Sequence, residues 1–268
     1  MKRALICGVG GFVGSHLAKK LKKSSYFVRG IGKTEALFDN NVTDEYLFLD
    51  LREKQNYKKA LSINGGFDEV YQLAADRGSA GYLKPKEADM MYSNVLVNAH
   101  MIDEAAKAHV KKYFFASSVC VYPNMQTNSK EITEEDAYPA LPENEYGWEK
   151  LYSERMLLAY ARKFPLEIRI GRFHTSFGPG VGWKGLKAKA PDDLCRKAIL
   201  APDGGELEVW GNDRSTRCFT FIEDLISGIQ ALMASNITLP TNIGSNEYVT
   251  INQLAEYIIQ TSGKKALD

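Results

Sequence analysis

Residues Ala4-Leu5-Ile6-Cys7 run directly into Gly8-Val9-Gly10-Gly11-Phe12-Val13-Gly14. A short apolar strand thus ends in glycines spaced G-x-x-G-x-x-G, and a helical pattern follows through Leu17 and Leu21. Strand, glycine turn and helix in that order are the context of a dinucleotide-binding βα unit. In such a unit Gly8 permits the tight turn, Gly11 lets the backbone approach a pyrophosphate and Gly14 allows close helix–strand packing. The free N–H groups of the helix start, at Phe12 and Val13, then face the anion.

The rest of the chain continues the same alternation. Short apolar runs at Phe27 to Ile31, Glu45 to Leu49, Glu69 to Leu73, Lys112 to Ala116 and Leu166 to Ile170 read as strands. Helical periodicity marks Val95 to Ala108 and Tyr146 to Ala161. Alternating strands and helices predict an α/β fold with a doubly wound parallel sheet. Beyond Arg172 the pattern changes. Gly178 to Pro191 is an irregular connection rich in glycine, proline and lysine, and long connections of this kind are often functional. A helix at Asp192 to Leu200, a strand at Leu207 to Trp210 and helices at Ile222 to Met233 and Ile251 to Thr261 are predicted after it. The expected division is a dinucleotide-binding domain of residues 1–171 and 219–245, with a smaller substrate lobe of residues 172–218 and 246–268.

Composition narrows the class. The net charge of +1 offers no electrostatic basis for nucleic acid or an anionic membrane. The four cysteines, Cys7, Cys120, Cys195 and Cys218, show no C-x-x-C spacing and no zinc pattern, so reduced thiols and no metal are expected. Met1-Lys2-Arg3 before an apolar run resembles a signal peptide, but glycines and His16 interrupt the run and no A-x-A-like site follows. No stretch of roughly 18 apolar residues predicts a membrane span. A cytoplasmic protein is the expectation.

Tyr146 and Lys150 stand four apart on a predicted helix and so share a face. An ammonium beside a phenol favours the phenolate, lowering a reference pKa of about 10. Such a pair can move a proton at a sugar hydroxyl, although without the glycine motif it reads as a surface helix pair. Ser117-Ser118 closes the fifth strand, at the edge where open α/β sheets bind ligands, and Ser118 is suited to bond the reacting hydroxyl. Cys120 near the same rim reads either as a proton-transfer thiol or as a small buried residue. Lys189 reads either as a site amine or as a solvated charge. Asp50-Leu51 after the third strand suits the adenine end of a cofactor, and Asp50 suits a helix N-cap equally well. Ile31-Gly32-Lys33 stands where a ribose-binding acid is expected. Glu35 is a substitute, and Lys33 suits a 2′-phosphate or plain solvent. NAD is the expected cofactor, with NADP left open.

At these residues the chain resembles the extended short-chain dehydrogenase/reductase (NAD-dependent epimerase/dehydratase) family, and within it the GDP-mannose 3,5-epimerases. The resemblance runs from Arg3 almost to the end. Its most specific segments are Phe115 to Pro123, Arg169 to His174, Trp183-Lys184-Gly185, Lys189-Ala190-Pro191 and Thr216 to Ile222. The resemblance implies transient oxidation of a sugar at C4 with bound NAD, assisted by Tyr146, Ser118 and Lys150. It implies enolate formation through Cys120 and Lys189 as an acid/base pair, then re-reduction, so that C3 and C5 of GDP-mannose are inverted. It assigns Arg217 to the nucleotide diphosphate, with Arg196 as a helper or a surface charge, and Asn94 to the cofactor or to a helix cap. Gly78 and Thr175 fall in the sugar loop and the diphosphate contact.

Departures from the family pattern are Thr175 in place of Asn, Gly32 in place of Asp, and Arg77-Gly78-Ser79-Ala80-Gly81 in place of a loop with methionine and glycine. Family members continue beyond the point matched by Asp268, so the substrate lobe is expected to be incomplete at its C-terminus. A homodimer through the helices at Val95 to Ala108 and Tyr146 to Ala161 is also implied. Two other readings compete: a 4-epimerase or 4,6-dehydratase of another nucleotide sugar, and a dinucleotide sensor without catalysis. The complete set of Ser118, Tyr146 and Lys150 weighs against the sensor.

Overall fold

In a computed structural model the described residues are 1–35, 37–38, 42–123, 132–209 and 216–264. Strands β1 (Arg3–Cys7), β2 (Phe27–Gly32), β3 (Glu45–Phe48), β4 (Glu69–Gln72), β5 (Lys112–Ser118), β6 (Glu167–Phe173) and β9 (Thr241–Ile243) form one parallel sheet. Its strand order is β3-β2-β1-β4-β5-β6-β9. Strands β7 (Thr175–Phe177), β8 (Thr216–Phe221) and β10 (Tyr248–Thr250) form a separate small sheet in the order β10-β8-β7. The doubly wound α/β reading therefore holds.

Strand alternation explains the layering. Leu5 and Cys7 of β1 face one side of the sheet, and Ala4 and Ile6 face the other. The first side is covered by α4 (Glu87–Lys107), through Val97, Met101 and Ile102, and by α5 (Glu145–Lys163), through Leu157. The second is covered by α1 (Phe12–Lys23), through Leu17 and Leu21, and by α7 (Ile222–Ala234), through Leu225 and Ile229. Burial of each such Leu or Ile contributes about 2 kcal/mol. A third cluster joins α6 (Ala190–Leu200) to α8 (Ile251–Ser262) through Leu194, Ala198, Ala255 and Ile258. Two short helices, α2 (Asn56–Leu61) and α3 (Ala80–Leu83), complete the set. No helix among the described residues is long and apolar enough to cross a membrane.

Several boundaries differ from the sequence expectation. β5 continues through Ser118 because Ser117 and Ser118 pair with Arg172 and Phe173 of β6. α4 starts at Glu87 rather than Val95, its first turn carrying Glu87 and Asp89, which complement the helix dipole. The strand expected at Leu207 to Trp210 is absent over Leu207–Val209, where Leu207 packs as irregular chain against the α6–α8 cluster; Trp210 lies outside the described residues. The edge between β7 and β10 is taken by β8 instead, which spans the expected domain junction at residue 218.

Candidate active site

The strand order reverses direction at β1 and β4, which opens a crevice at the carboxyl ends of these strands. The glycine turn lines one wall. Gly8 adopts a φ of +83°, and a Cβ there would stand 2.9 Å from the Ala74 backbone. A Cβ on Gly14 would overlap the Gly8 carbonyl oxygen and lie 2.8 Å from the Val9 Cα. Gly11 is the N-cap of α1 without a side-chain cap, so the N–H groups at Phe12 and Val13 keep their donor capacity for a ligand. Gly10 is a position the motif spacing passes over: a Cβ there would meet the Thr34 hydroxyl at 2.7 Å and the Tyr46 hydroxyl at 2.9 Å. These features fit a pyrophosphate-binding turn.

The ribose end is built differently from the usual pattern. A Cβ on Gly32 would sit 2.5 Å from the Tyr46 hydroxyl, so Tyr46 fills the space into which an acid would project. That hydroxyl donates to the Thr34 carbonyl. Asp50 is held by Lys33 at 2.9 Å and by the Arg52 guanidinium at 2.6 Å, and the Arg52 contacts keep its carboxyl well below the usual range. Lys33 is thus an ion-pair partner rather than a free charge. Leu51 is buried, and its carbonyl accepts from Tyr57 at 2.5 Å. Asn94 is also buried and clamps the loop after β4: its Oδ1 accepts from Asp76 N–H at 2.7 Å and its Nδ2 donates to Asp76 O at 3.0 Å.

At the centre, Ser118 Oγ accepts from the Cys120 N–H at 3.2 Å, which caps the 3-10 turn Val119–Val121. Asn144 caps α5 through the Gly147 N–H at 3.0 Å. Gly147 lies against the Cys120 backbone, with room for no side chain between them. Tyr146 and Cys120 are consequently neighbours. Lys150 is buried, its Nζ 5.5 Å from the centre of the Tyr146 ring and 4.8 Å from that of Phe115. Here the expected electrostatics need correction. The ammonium lies over ring faces, and burial outweighs it, pushing the Tyr146 phenol above its ordinary value. Burial likewise lowers Lys150.

Lys189 is the N-cap residue of α6 and ends the irregular connection. Burial, then the charge of Arg77, lowers its ammonium to about 8, while Cys120 and Asp192 act in the opposite sense. Cys120, Tyr146, Lys150 and Lys189 are therefore electrostatic neighbours drawn from separate parts of the chain. Asp192, on the first turn of α6, is 6% exposed, and its Oδ2 has no hydrogen-bond partner among the described residues. Burial raises its carboxyl to about 6.

The substrate-side residues are less tightly gathered. Gly78 packs on the Tyr82 ring, 2.6 Å from where its Cβ would be. Thr175 is half-buried on β7. Arg196 pairs with Asp193 at 2.6 Å, and exposed Arg217 donates to the Thr216 carbonyl at 2.8 Å. No contact among the described residues ties these two guanidiniums to the centre.

Sequence reasoning did not single out the layer beneath. Glu154 accepts from Ser117 Oγ at 2.5 Å and pairs with Arg172 at 2.8 Å. Arg172 also reaches Tyr122 at 3.0 Å, and Tyr122 donates to Asn242 at 2.6 Å. This network binds β5, α5, β6 and β9 together under the crevice. The available signal was charge at positions of strand and helix that should be apolar.

A glycine turn at the switch point, a strand-end serine and a helix carrying Tyr146 with buried Lys150 are the features of a dinucleotide-dependent enzyme. Comparison with known proteins agrees. Residues 4–244 match the model of the NAD dependent epimerase/dehydratase family. The GDP-mannose 3,5-epimerase of Arabidopsis thaliana is 38% identical over 265 residues, covering 97% of this chain and 69% of that protein. UDP-glucuronic acid decarboxylase 1 of Xenopus tropicalis is 28% identical over 264 residues, covering 98% of this chain and 61% of that one. The UDP-glucose 4-epimerase of Thermus thermophilus, solved in complex with NAD, superposes with a TM-score of 0.84 at 20% identity, over 99% of this chain and 85% of that one. The chain belongs to the NAD-dependent epimerase/dehydratase family, and the cofactor expectation of NAD holds.

Proposed function

We propose that this protein inverts C3 and C5 of GDP-mannose, forming GDP-L-galactose without net redox change. The observation that carries the reading is that Cys120, packed through its backbone against Gly147 beside Tyr146, lies within electrostatic reach of Lys189. A plain oxidation and re-reduction at C4 needs Ser118, Tyr146 and Lys150 alone. An amine lowered to about 8, with a thiol on the same crevice, is what a carbon acid requires. The similarity to a plant GDP-mannose 3,5-epimerase supports the same substrate.

Residues of the glycine turn, Gly8, Gly11, Phe12, Val13 and Gly14, with Asp50, Leu51 and Asn94, hold the cofactor. NAD, when bound, supplies the oxidising equivalent at C4 and a positive ring charge that favours the Tyr146 phenolate. Tyr146 takes the proton of the C4 hydroxyl while Ser118 bonds the same oxygen. The resulting ketone acidifies C3 and C5. Cys120 and Lys189 then remove and return those protons from opposite faces. Thr175, Arg196 and Arg217 grip the diphosphate, and Gly78 leaves room for the sugar under the loop after β4. The same reading includes a cytoplasmic setting and a homodimer through α4 and α5, whose exposed Tyr92, Trp148 and Tyr152 support it.

Incubation with GDP-mannose in deuterated water tests the proposal. Deuterium is expected at C3 and C5, and neither Cys120→Ala nor Lys189→Ala introduces it at both positions. A folded, NAD-loaded protein that leaves both carbons unlabelled rejects the reading. A second reading, 4-epimerisation or 4,6-dehydration of another nucleotide sugar, is favoured by Arg77 in the sugar loop and Thr175 at the diphosphate. Label confined to C5, with a 4-keto-6-deoxy product, supports dehydration.

A further inference from the structure

A second polar line crosses the interior between α4 and α5, separate from the Glu154–Arg172 network, and it runs from α5 to the glycine turn. Gln72 ends β4 and pairs in register with Cys7, the residue before Gly8. Strand alternation puts its side chain on the face where Val70 and Cys7 pack against α4 and α5, a place for an apolar residue. Instead, Gln72 Nε2 donates to the Ala74 carbonyl at 3.2 Å and to Asn98 Oδ1 on α4 at 2.8 Å. Asn98 Nδ2 in turn donates to Glu149 Oε1 on α5 at 2.5 Å, and Ser153 Oγ donates to the same oxygen at 3.0 Å. Gln72 Oε1 and Glu149 Oε2 have no partner among the described residues, so Asn98 is the junction between the two ends.

Both ends of the line adjoin the site. Glu149 directly precedes Lys150 on the helix that carries Tyr146. At the other end, the Ala74 backbone is what a Cβ on Gly8 would strike at 2.9 Å, and the Leu73 N–H donates to the Cys7 carbonyl at 3.1 Å. Asn94, one turn before Asn98 on α4, holds the same loop further on at Asp76. Gln72, Asn98 and Glu149 are each 1% exposed or less, and polar groups buried that deeply are costly unless bonded. Apolar contacts alone tolerate a small slip of one helix past another. Directional bonds in a dry interior hold both helices to one register.

Hydride transfer between NAD and a sugar carbon requires the reacting atoms to be about 3–3.5 Å apart. The turn after β1 sets one side of that gap and the first turns of α5 set the other, although the two segments are remote in the chain. We infer that Asn98 is a positioning residue that fixes the spacing between the glycine turn and the Tyr146–Lys150 turn of α5. Its effect on NAD affinity follows from family membership, and its effect on turnover rests on the C4 oxidation proposed above.

The test uses the full chain. NAD affinity by titration calorimetry, and the NADH formed transiently when NAD-loaded protein meets GDP-mannose, are compared for the wild type, Asn98→Ala, Ser153→Ala and the pair Asn98→Asp with Glu149→Gln. Asn98→Ala removes both links of the junction. It is expected to weaken NAD binding by roughly tenfold, the worth of one hydrogen bond, and to slow NADH formation by up to about 10²-fold with KM for GDP-mannose little changed. In the pair, the new carboxylate on α4 accepts from Gln72 and from the new amide on α5, which also donates to Ser153 Oγ. The line is remade with one donor reversed and the net charge kept, so both readouts are expected to return to near wild-type values. Ser153→Ala deletes the other donor to Glu149 but spares the junction, and it should lower Tm while leaving both readouts in place. Should Asn98→Ala not fold, Asn98→Ser is read in its place. Equal losses in Ser153→Ala and Asn98→Ala overturn the role, because they report general loosening of the interior. A folded pair that recovers neither readout overturns it as well, as does a folded Asn98→Ala with wild-type affinity and rate. A wild type that binds NAD but forms no NADH with GDP-mannose strikes the substrate reading, and the NAD titrations then decide the role of Asn98 by themselves.

Discussion

Gly147→Ala is the sharpest test of how the centre is assembled, because two effects of opposite sign compete in it. Gly147 is in the first turn of α5, where Ala is favoured over Gly by about 1 kcal/mol in helix propensity. On propensity alone the variant is stabilised. The Cβ, however, would stand 2.9 Å from both the Cys120 carbonyl carbon and the Pro142 Cβ, and closer still to the Cys120 oxygen. Ordinary carbon–carbon contact is about 3.5–4.0 Å, so the Cys120 backbone and α5 must separate by roughly 1 Å. Overpacking of this kind costs about 1–3 kcal/mol, which exceeds the propensity gain. The net result is destabilisation by up to about 2 kcal/mol, and in a chain of this size each kcal/mol lowers Tm by about 2–4 °C. The functional loss should be larger than the stability loss. A misplacement near 1 Å costs about 10²-fold in rate, and here it falls between Tyr146 and Cys120. Thermal unfolding and deuterium uptake at C3 and C5 on the same preparation measure the two. A variant with raised Tm and unchanged uptake would refute the close-packing argument. A lowered Tm with unchanged uptake would show that the spacing of Tyr146 and Cys120 is not critical.

Three further outcomes are expected. Lys189 at about 8 places one limb of the pH–rate profile near that value: where it is the base, only about a tenth is neutral at pH 7, and the rate rises with pH until the amine is deprotonated. Lys189→Ala should abolish that limb, and a limb that stays near 8 in the variant assigns it to another group. Glu154→Gln leaves the Arg172 guanidinium, buried with its partner at 2.8 Å, without its counter-charge, at a cost of about 3–5 kcal/mol in denaturant unfolding. The pair Glu154→Leu with Arg172→Met should recover most of that, and failure to do so places the loss in packing rather than in charge. Gly32→Asp should weaken NAD binding by titration calorimetry, since its Cβ would lie 2.5 Å from the Tyr46 hydroxyl. Adding Tyr46→Ala should restore or improve binding, and an unimpaired single variant would show that Tyr46 yields freely.

What the sequence made legible is what local chemistry alone determines. The glycine turn declares itself because only a residue without Cβ fits at Gly8 and Gly14. The large sheet does so because its buried strands alternate apolar runs with helices. Tyr146 and Lys150 can be paired from their spacing on one helix. The outer strands of the small sheet, β7 and β10, and the edge strand β9 of the large one stayed hidden because they are three residues each and lack a periodic signal. Leu207 to Trp210 has the composition of a strand, but over the described residues Leu207–Val209 the chain is irregular and Leu207 is buried against α6 and α8 instead. At the site, the sequence named Tyr146 and Lys150 but misjudged their balance, since spacing reports proximity and says nothing of desolvation. Two charges converging through the fold, Arg77 from the β4 loop and Asp192 from α6, are more than 100 residues apart and could be brought together only by tertiary structure.

That separation bears on how specificity is distributed in this fold. The parts to which the proposed function gives C4 oxidation, namely the turn after β1, the end of β5 and the first turns of α5, rest on the sheet and on the Glu154–Arg172 network beneath it. Arg77 stands on the loop after β4, and Lys189 ends an irregular connection that Lys187, Asp76 and Tyr82 latch to that loop, just before Asp192 on α6. Changing the second group leaves the sheet's packing untouched. A substitution in the latch, Lys187→Ala, removes a half-exposed ion pair worth about 1 kcal/mol or less. Its effect on global unfolding should therefore be small, while its effect on proton exchange at C3 and C5 should be several-fold, because Lys189 loses the anchor two residues before it. Equal small effects on both would mean that burial of Lys189 alone, and not the latch, holds the amine in place.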